Sequence, residues 1–198
     1  MKRLIDIVIS GCALVATAPL IAALLLVVAF TLGRPVLFRQ PRSGKHGKVF
    51  ELIKLRTMTG ERGDDGELLA DDRRLPAVGK WLRATSLDEI PALWNVLRGD
   101  MSLVGPRPLL VEYADRYSAK HARRLEVSPG VTGWAQVKGR NLLGWSERFD
   151  LDVWYVDHRS FLLDLKILAM TFTAVLSARG VNPEGGVPMP KFSGYDDA

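Results

Sequence analysis

The sequence predicts an α/β fold that is mostly α-helical, with an N-terminal membrane helix and a compact helical domain containing a small β-hairpin. Residues 7–32 carry no charged side chain, which is typical of a membrane-embedded helix. Residues 36–40 and 48–58 read as two strands around a turn-rich segment, and residues 90–97 repeat apolar side chains at helical spacing. We therefore expect a membrane helix over 1–33, a compact domain over 34–180 and an extended tail over 181–198.

The charges around the apolar segment bear on its topology. Lys2 and Arg3 precede it, and five cations follow it between residues 34 and 48. Because cytoplasmic loops carry the excess of lysine and arginine, positive flanks on both sides favour a re-entrant helix that returns to the same leaflet. Pro19, near the middle, favours a kink. A plain span is the alternative, as is a signal peptide cleaved after Ala18.

Composition narrows the class of partner. The formal charge of +5 and the pI near 9.5 indicate an anionic partner, such as a phosphate-bearing substrate, anionic lipid or nucleic acid. An aromatic content of only 8% beside a membrane anchor argues against nucleic acid. The single cysteine, Cys12, cannot form an internal disulfide.

The rest of the chain reads mainly as helix. We expect helices over 75–84 and 90–97, the second ending at Gly99, and a surface loop over 59–74. A charged helix is predicted over 109–125 and a helical stretch over 145–178. Within that stretch, residues 161–176 are apolar nearly all round, which suits a core helix or an amphipathic helix on a membrane surface.

Two adjacent acids, Asp88 and Glu89, precede the helix over 90–97. One hypothesis is a capping box, with Ser86 as the N-cap and Glu89 as its reciprocal partner. Pro91 weakens it, because a proline at the fifth helical position would lack a required donor. In the second hypothesis the helix begins near Pro91, and its start keeps Asp88 ionised and available as a nucleophile.

Several cations could accompany these acids around a phosphate. Arg107 lies between two prolines, which fix its loop and suit bidentate contact with phosphate, although it could equally pair with a surface acid. Lys54 and Arg56 alternate onto one face of the second strand. Arg83 and Arg140 are further candidates, and Gln136 beside Trp134 could contact a base or sugar, or could simply lie in a strand. The three histidines, His46, His121 and His158, lack metal-ligand spacing and are predicted to lie on the surface.

Four stretches together resemble the bacterial sugar transferase family, and within it the small monotopic phosphoglycosyl transferases. They are KRLIDI, FELIKLRTM, TSLDEIPALWNVLRGDMSLVGPRPLL and PGVTGWAQVKGRN. The resemblance covers nearly the whole chain and implies a catalytic domain over 34–180 behind a re-entrant helix. Ala18-Pro19 stands where family members often have Ser-Pro, so a serine contribution to the kink is absent.

The resemblance also implies a ping-pong reaction with a UDP-sugar and polyprenyl (undecaprenyl) phosphate. Asp88 would attack the β-phosphate, release UMP and form a phosphosugar–aspartyl intermediate that the lipid phosphate then discharges. Glu89 would bind Mg²⁺ and assist proton handling. The site would lie at the cytoplasmic face of the bacterial inner membrane, in contact with inner-leaflet lipid, and a homodimer is compatible with this reading. A non-catalytic basic protein that binds anionic lipid is the alternative, but it leaves LDE and GPRP unexplained.

Overall fold

The computed structural model describes residues 1–139, 143–176 and 191–195, and these form a mostly helical fold with two small sheets. Helix α1 (Lys2–Thr31) is 30 residues long and runs through Pro19. Its apolar stretch has a mean hydropathy of 2.6, and only 11% of it is buried. By length and composition α1 could cross a membrane, and it is the one described helix with this property. The predicted N-terminal apolar helix is confirmed.

Both ends of α1 contact the rest of the protein. Near its start, Arg3 donates to the carbonyl oxygens of Val96 and Leu97 at 2.5 and 2.7 Å, and the Asp6 carboxylate accepts from the Leu103 N–H at 3.1 Å. Near its end, three buried leucine and valine side chains pack with Leu55 and Leu82; they are Leu24, Val28 and Leu32. The side chain of Val15, between these contacts, is 77% exposed.

The predicted hairpin is confirmed as antiparallel strands β1 (Leu37–Ser43) and β2 (Val49–Leu55). Their register pairs Leu37 with Leu55 and Ser43 with Val49. A 3₁₀ turn over Lys45–Gly47 joins them, with His46 at φ 54° and Gly47 at φ 74°. Strand β2 ends one residue before Arg56.

The two predicted central helices are also confirmed. After a short helix α2 (Asp71–Arg74), helices α3 (Ala77–Ala84) and α4 (Ala92–Arg98) cover the expected segments. Gly99, at φ 96°, ends α4 in the left-handed conformation that glycine tolerates best. The predicted loop over 59–74 therefore gains one helical turn at its end.

A second, parallel sheet holds the GPRP loop. Strand β3 (Ser102–Val104) pairs with β4 (Gly130–Thr132), which brings Gly105 against the 128–130 backbone. A Cβ on Gly105 would lie 2.4 Å from the Ser128 carbonyl oxygen, so only glycine fits there.

The predicted charged helix over 109–125 is wrong. The segment forms a 3₁₀ turn (Val111–Arg116), helix α5 (Ala119–Ala122) and another 3₁₀ turn (Arg123–Glu126). The backbone at its start extends the hairpin instead, since the Ser43 N–H donates to the Leu109 carbonyl and Arg42 bridges to Leu110. Ser118 then caps α5 by accepting from the His121 N–H.

The C-terminal helical stretch is divided in two. After α6 (Trp134–Lys138), helix α7 (Trp145–His158) ends at an extended Arg159, and α8 (Phe161–Leu176) follows. Ser160 separates them because its hydroxyl accepts from the Leu163 N–H at 3.2 Å, as a helix N-cap does. A buried Ile167 anchors α8 in the main core.

The C-terminal segment 191–195 packs onto the domain. Phe192 is buried among aromatic rings, and its N–H donates to the Tyr113 hydroxyl at 3.1 Å. Tyr195 contacts His121, whose ring is buried and also bonds Asp150. The prediction that His121 is a surface residue is therefore wrong, whereas His46 and His158 are exposed.

Candidate active site

The two acids lie just outside the start of α4. Leu87–Glu89 form a 3₁₀ turn, and Pro91 is the N-cap of α4. Ser86 adopts a left-handed conformation, φ 57°, and its side chain makes no cap hydrogen bond. The capping-box hypothesis is thus wrong, and the hypothesis that the helix begins near Pro91 is confirmed.

Glu89 holds two cations. Its Oε1 atom lies 2.6 Å from Lys54 Nζ and 2.6 Å from one terminal guanidinium nitrogen of Arg107. Its Oε2 atom lies 3.4 Å from the other terminal nitrogen of Arg107. Burial alone would raise the pKa of Glu89, but Arg107 and Lys54 outweigh it and hold that pKa well below its usual range. The two ion pairs therefore favour the ionised form of Glu89.

Asp88 has a different environment from its neighbour. Its side chain is 7% exposed, and no hydrogen bond or ion pair joins it to another side chain in the described segments. Burial and then the charge of Glu89 raise its pKa, although Lys54, Arg107 and Arg83 act in the opposite direction. The expectation that Asp88 is ionised stays a prediction, since burial and Glu89 oppose the ionised form while Lys54, Arg107 and Arg83 favour it.

The buried ion pair Arg124–Asp152 supports the backbone of Arg107, and the sequence analysis did not identify it. Arg124 donates to the Arg107 carbonyl at 2.7 Å and to Asp152 at 2.8 Å, and both Arg124 and Asp152 are only 2% exposed. The signal that could have found them is Asp152 itself. It lies on α7 with the buried Phe149, Val153 and Val156, within an otherwise apolar helical stripe.

The predicted cations on and near β2 differ in what they contact. Lys54 lies in the site, and Arg83 donates to Thr57 at 3.0 Å while acting electrostatically on Asp88. Arg56 instead donates to the carbonyls of Met58 and Arg34, at 2.7 and 3.0 Å. Arg56 thus ties two loops together and does not pair with the acids.

Gln136 lies in helix α6, so the strand alternative for it is wrong. Its amide nitrogen donates to the Val131 carbonyl at 3.0 Å, and its amide oxygen is buried without a hydrogen-bond partner among the described residues. The adjacent Trp134 is buried and stacks on Trp154, with ring centroids 5.0 Å apart. Arg140 lies outside the described residues.

A second residue that the sequence analysis did not select, Arg42, lines the same small cavity as Lys54, Glu89 and Arg107. The strand register pairs Phe38 with Lys54 and Arg42 with Phe50. Opposed residues in an antiparallel pair share a face, so alternation in β1 puts Arg42 on the face of Lys54. Extending the period-two reading from β2 to β1 would have identified it.

The carboxylates of this site would suit Mg²⁺ if substrate phosphates supplied further ligands. Within residues 1–139, 143–176 and 191–195, no three Asp, Glu, His or Cys side chains form a metal-binding group. Mg²⁺ commonly binds one or two carboxylates together with substrate phosphates. The Glu89 Oε2 atom, with its longer 3.4 Å contact, and the neighbouring Asp88 supply carboxylate oxygens of this kind.

The comparisons with known proteins agree on one family. Residues 1–178 match the family model described as bacterial sugar transferase. The chain is 50% identical to the uncharacterized sugar transferase EpsL of Bacillus subtilis (strain 168), across 100% of this chain and 98% of that protein.

Two named relatives are more distant. The chain is 42% identical to the UDP-glucose:undecaprenyl-phosphate glucose-1-phosphate transferase of Caulobacter vibrioides, across 89% of this chain and 70% of that protein. It is 39% identical to the undecaprenyl-phosphate galactose phosphotransferase of Salmonella typhimurium, across 91% of this chain and 41% of that protein. The chain therefore belongs to the bacterial sugar transferase family and is an enzyme.

Proposed function

We propose that this enzyme transfers a phosphosugar from a UDP-sugar to polyprenyl phosphate, through a covalent intermediate on Asp88. The observation that carries the proposal is the unequal environment of the two acids. Glu89 takes both Lys54 and Arg107, whereas Asp88 is buried beside them with no ion-pair partner in the described part of the chain. Relatives named for transfer of a sugar phosphate to undecaprenyl phosphate support the choice of substrates.

In the first step, a carboxylate oxygen of Asp88 attacks the β-phosphorus of the UDP-sugar. A bond forms between this oxygen and phosphorus, the bond from the β-phosphorus to the bridging oxygen breaks, and UMP leaves with that electron pair. Asp88 must be deprotonated to attack. Its raised pKa makes the ionised form more basic, and the charges of Lys54, Arg107 and Arg83 favour that form as the diphosphate arrives.

In the second step, a phosphate oxygen of polyprenyl phosphate attacks the phosphorus of the intermediate. The bond between phosphorus and Asp88 breaks, the carboxylate is restored and the lipid diphosphate-sugar departs. Both steps bring one anion against another, so charge neutralisation contributes more than general-base catalysis. Lys54 and Arg107 are positioned for this, and Arg124 fixes the backbone of Arg107.

We include Mg²⁺ in this proposal, held by Glu89 together with substrate phosphates. When bound, the ion would add positive charge at the phosphoryl oxygens. Glu89 already orients two cations. A shared role for Glu89 would therefore link the placement of the metal to that of Lys54 and Arg107.

We further propose that α1 is a re-entrant membrane helix with both ends on the cytoplasmic side of the inner membrane. The support is that Arg3 and Asp6 at one end, and Val28 at the other, contact the same domain. A straight helix of this length would extend about 45 Å, enough to separate its ends across a bilayer. Because both ends of α1 contact one domain, both ends can lie on the same side of the membrane.

The exposed side of α8 supports a membrane-surface position for the catalytic domain. Phe161, Leu162 and Phe172 are 53%, 75% and 67% exposed. Apolar side chains at this exposure suit contact with the acyl–headgroup boundary.

The decisive experiment is intact-mass analysis of the protein in detergent or nanodiscs, after incubation with Mg²⁺ and one UDP-sugar at a time, starting with UDP-glucose and UDP-galactose. We expect a mass increase of one phosphosugar, with release of one UMP, before any lipid is added. Addition of polyprenyl phosphate should remove the adduct.

Two variants sharpen this test. Asp88→Asn should form no adduct, whereas Asp64→Asn, an exposed loop change, should behave as the wild type. An adduct that persists in Asp88→Asn would remove Asp88 from the nucleophile role. Absence of both adduct and UMP across all UDP-sugars would contradict the proposed reaction with a UDP-sugar donor.

A further inference from the structure

We propose that Arg42 is a substrate-binding residue that holds a phosphoryl oxygen alongside Lys54 and Arg107. The inference rests on the proposed function, since it assigns a phosphate to the site where Asp88 reacts. Arg42 comes from the first strand of the hairpin, far in sequence from the LDE and GPRP segments.

The backbone of Arg42 is fixed on both sides. Strand pairing opposes it to Phe50 on β2, while on its other edge it bridges to Leu110, two residues after the GPRP loop. The neighbouring Ser43 N–H donates to the Leu109 carbonyl at 3.1 Å. The side chain is thus placed between the strand that carries Lys54 and the loop that carries Arg107, and it lines the cavity with both.

The guanidinium of Arg42 has bonding capacity that the protein does not use. One terminal nitrogen donates to the Gln40 side chain at 2.5 Å. The Nε atom is buried and has no hydrogen-bond partner within the described parts of the chain. A buried donor without a partner is costly, and a phosphoryl oxygen in the cavity would satisfy it.

The charges of the site also favour an anion beside Arg42. Burial and the nearby Arg107 lower the pKa of Arg42 to about 10, so it is still a cation at neutral pH. Glu89 is already bonded to Lys54 and Arg107. Arg42 therefore adds a positive charge that a phosphate group would balance.

Three phosphate groups occupy this site during the proposed ping-pong cycle, and their shared chemistry is that of a phosphoryl anion. They are the phosphate that departs in UMP, the transferred phosphate itself and the phosphate of the lipid acceptor. The two half-reactions separate them, because adduct formation needs only the UDP-sugar and adduct discharge needs only the lipid phosphate.

The test compares Arg42→Gln and Arg42→Lys with the control Arg39→Gln. Arg39 lies on the same strand but is 59% exposed and pairs with Glu51 at 3.5 Å on the surface. Single-turnover measurements would follow adduct formation with UDP-sugar, and then discharge of preformed adduct by polyprenyl phosphate. Removing one preorganised donor typically costs about 10²- to 10³-fold in rate.

We expect Arg42→Gln to slow at least one half-reaction by about 10²-fold, with Arg42→Lys intermediate because it keeps the charge. Slower adduct formation alone assigns Arg42 to the nucleotide phosphate, slower discharge alone assigns it to the lipid phosphate, and slowing of both assigns it to the transferred phosphate. Rates of both half-reactions within about twofold of Arg39→Gln would overturn the proposal. Thermal melts of the variants accompany the rates, and Arg42→Lys decides the question if Arg42→Gln fails to fold.

The proposed function can fail independently. If the wild type forms no adduct with any UDP-sugar, equilibrium binding of UMP and of inorganic phosphate to the wild type and the same variants decides the role of Arg42. Binding to Arg42→Gln weaker by at least about tenfold supports the anion site, in line with the value of one charge-assisted hydrogen bond. Equal binding overturns it.

Discussion

The buried pair Arg124–Asp152 permits a quantitative prediction about how the GPRP loop is held. We consider Arg124→Met, which keeps an apolar stem but removes the guanidinium. In the protein, that group bonds Asp152 at 2.8 Å, the Arg107 carbonyl at 2.7 Å and the Tyr117 hydroxyl at 3.1 Å. The side chains of the pair are 2% and 3% exposed.

The expected loss of unfolding free energy is large because Asp152 would stay buried without its partner. Breaking a buried ion pair by removing one member costs about 3–5 kcal/mol. Replacing both members with apolar residues is often close to neutral. Arg124→Met combined with Asp152→Leu should therefore recover most of the stability that Arg124→Met loses.

Activity should not recover in the same way. The double variant still lacks the donor to the Arg107 carbonyl, so the guanidinium that contacts Glu89 is held less firmly. We expect the rate of adduct formation to stay at least about tenfold below the wild type, given that one misplaced oxyanion donor costs 10²-fold or more. A purely structural role for Arg124 would instead let activity return with stability.

Urea unfolding followed by circular dichroism, in detergent micelles, measures the stability, and single-turnover adduct formation measures the activity. A loss below about 1 kcal/mol for Arg124→Met would refute the stability reasoning, since that is the range of an exposed pair. Full activity in the double variant would refute the positioning of Arg107 by Arg124.

Three further changes test other parts of the structure. Gly105→Ala would place its Cβ 2.4 Å from the Ser128 carbonyl, so we expect a lower melting temperature and slower adduct formation. Phe192→Ala removes one ring from an aromatic cluster and should lower the free energy of unfolding in urea by about 3–5 kcal/mol. Phe161→Ala, at an exposed position, should lower it little. Chelation by EDTA should abolish UMP release, and added Mg²⁺ should restore it; activity unaffected by EDTA would contradict the magnesium proposal.

The sequence predicted those elements whose signals are local. The hairpin followed from alternation around a turn, and the start and end of α4 followed from Pro91 and Gly99. The predicted charged helix over 109–125 failed because its first residues pair with β1, a contact that no short window of sequence contains. Propensity over a window does not include such long-range pairing.

The residues of the candidate site show the same division between local and long-range signals. Asp88, Glu89, Lys54 and Arg107 were predicted because each has a local pattern or belongs to a motif of the family. The supporting pair Arg124–Asp152 joins residues 28 apart, and the Phe192–Tyr113 bond joins residues 79 apart. Asp152 stands out in the apolar stripe of α7, but no short window of sequence identifies Arg124 or Tyr113 as a partner, so the folded structure is needed to find both contacts.

The two adjacent carboxylates have unequal environments. One carboxylate is bonded to two cations, and the other is buried beside them. The pKa of Glu89 is lowered and that of Asp88 is raised. Environments that separate the pKa values of two acids in this way are typical of acids with different chemical roles. Glu89 is bonded to Lys54 and Arg107, and the proposed function assigns the nucleophile role to Asp88, which has no ion-pair partner in the described chain.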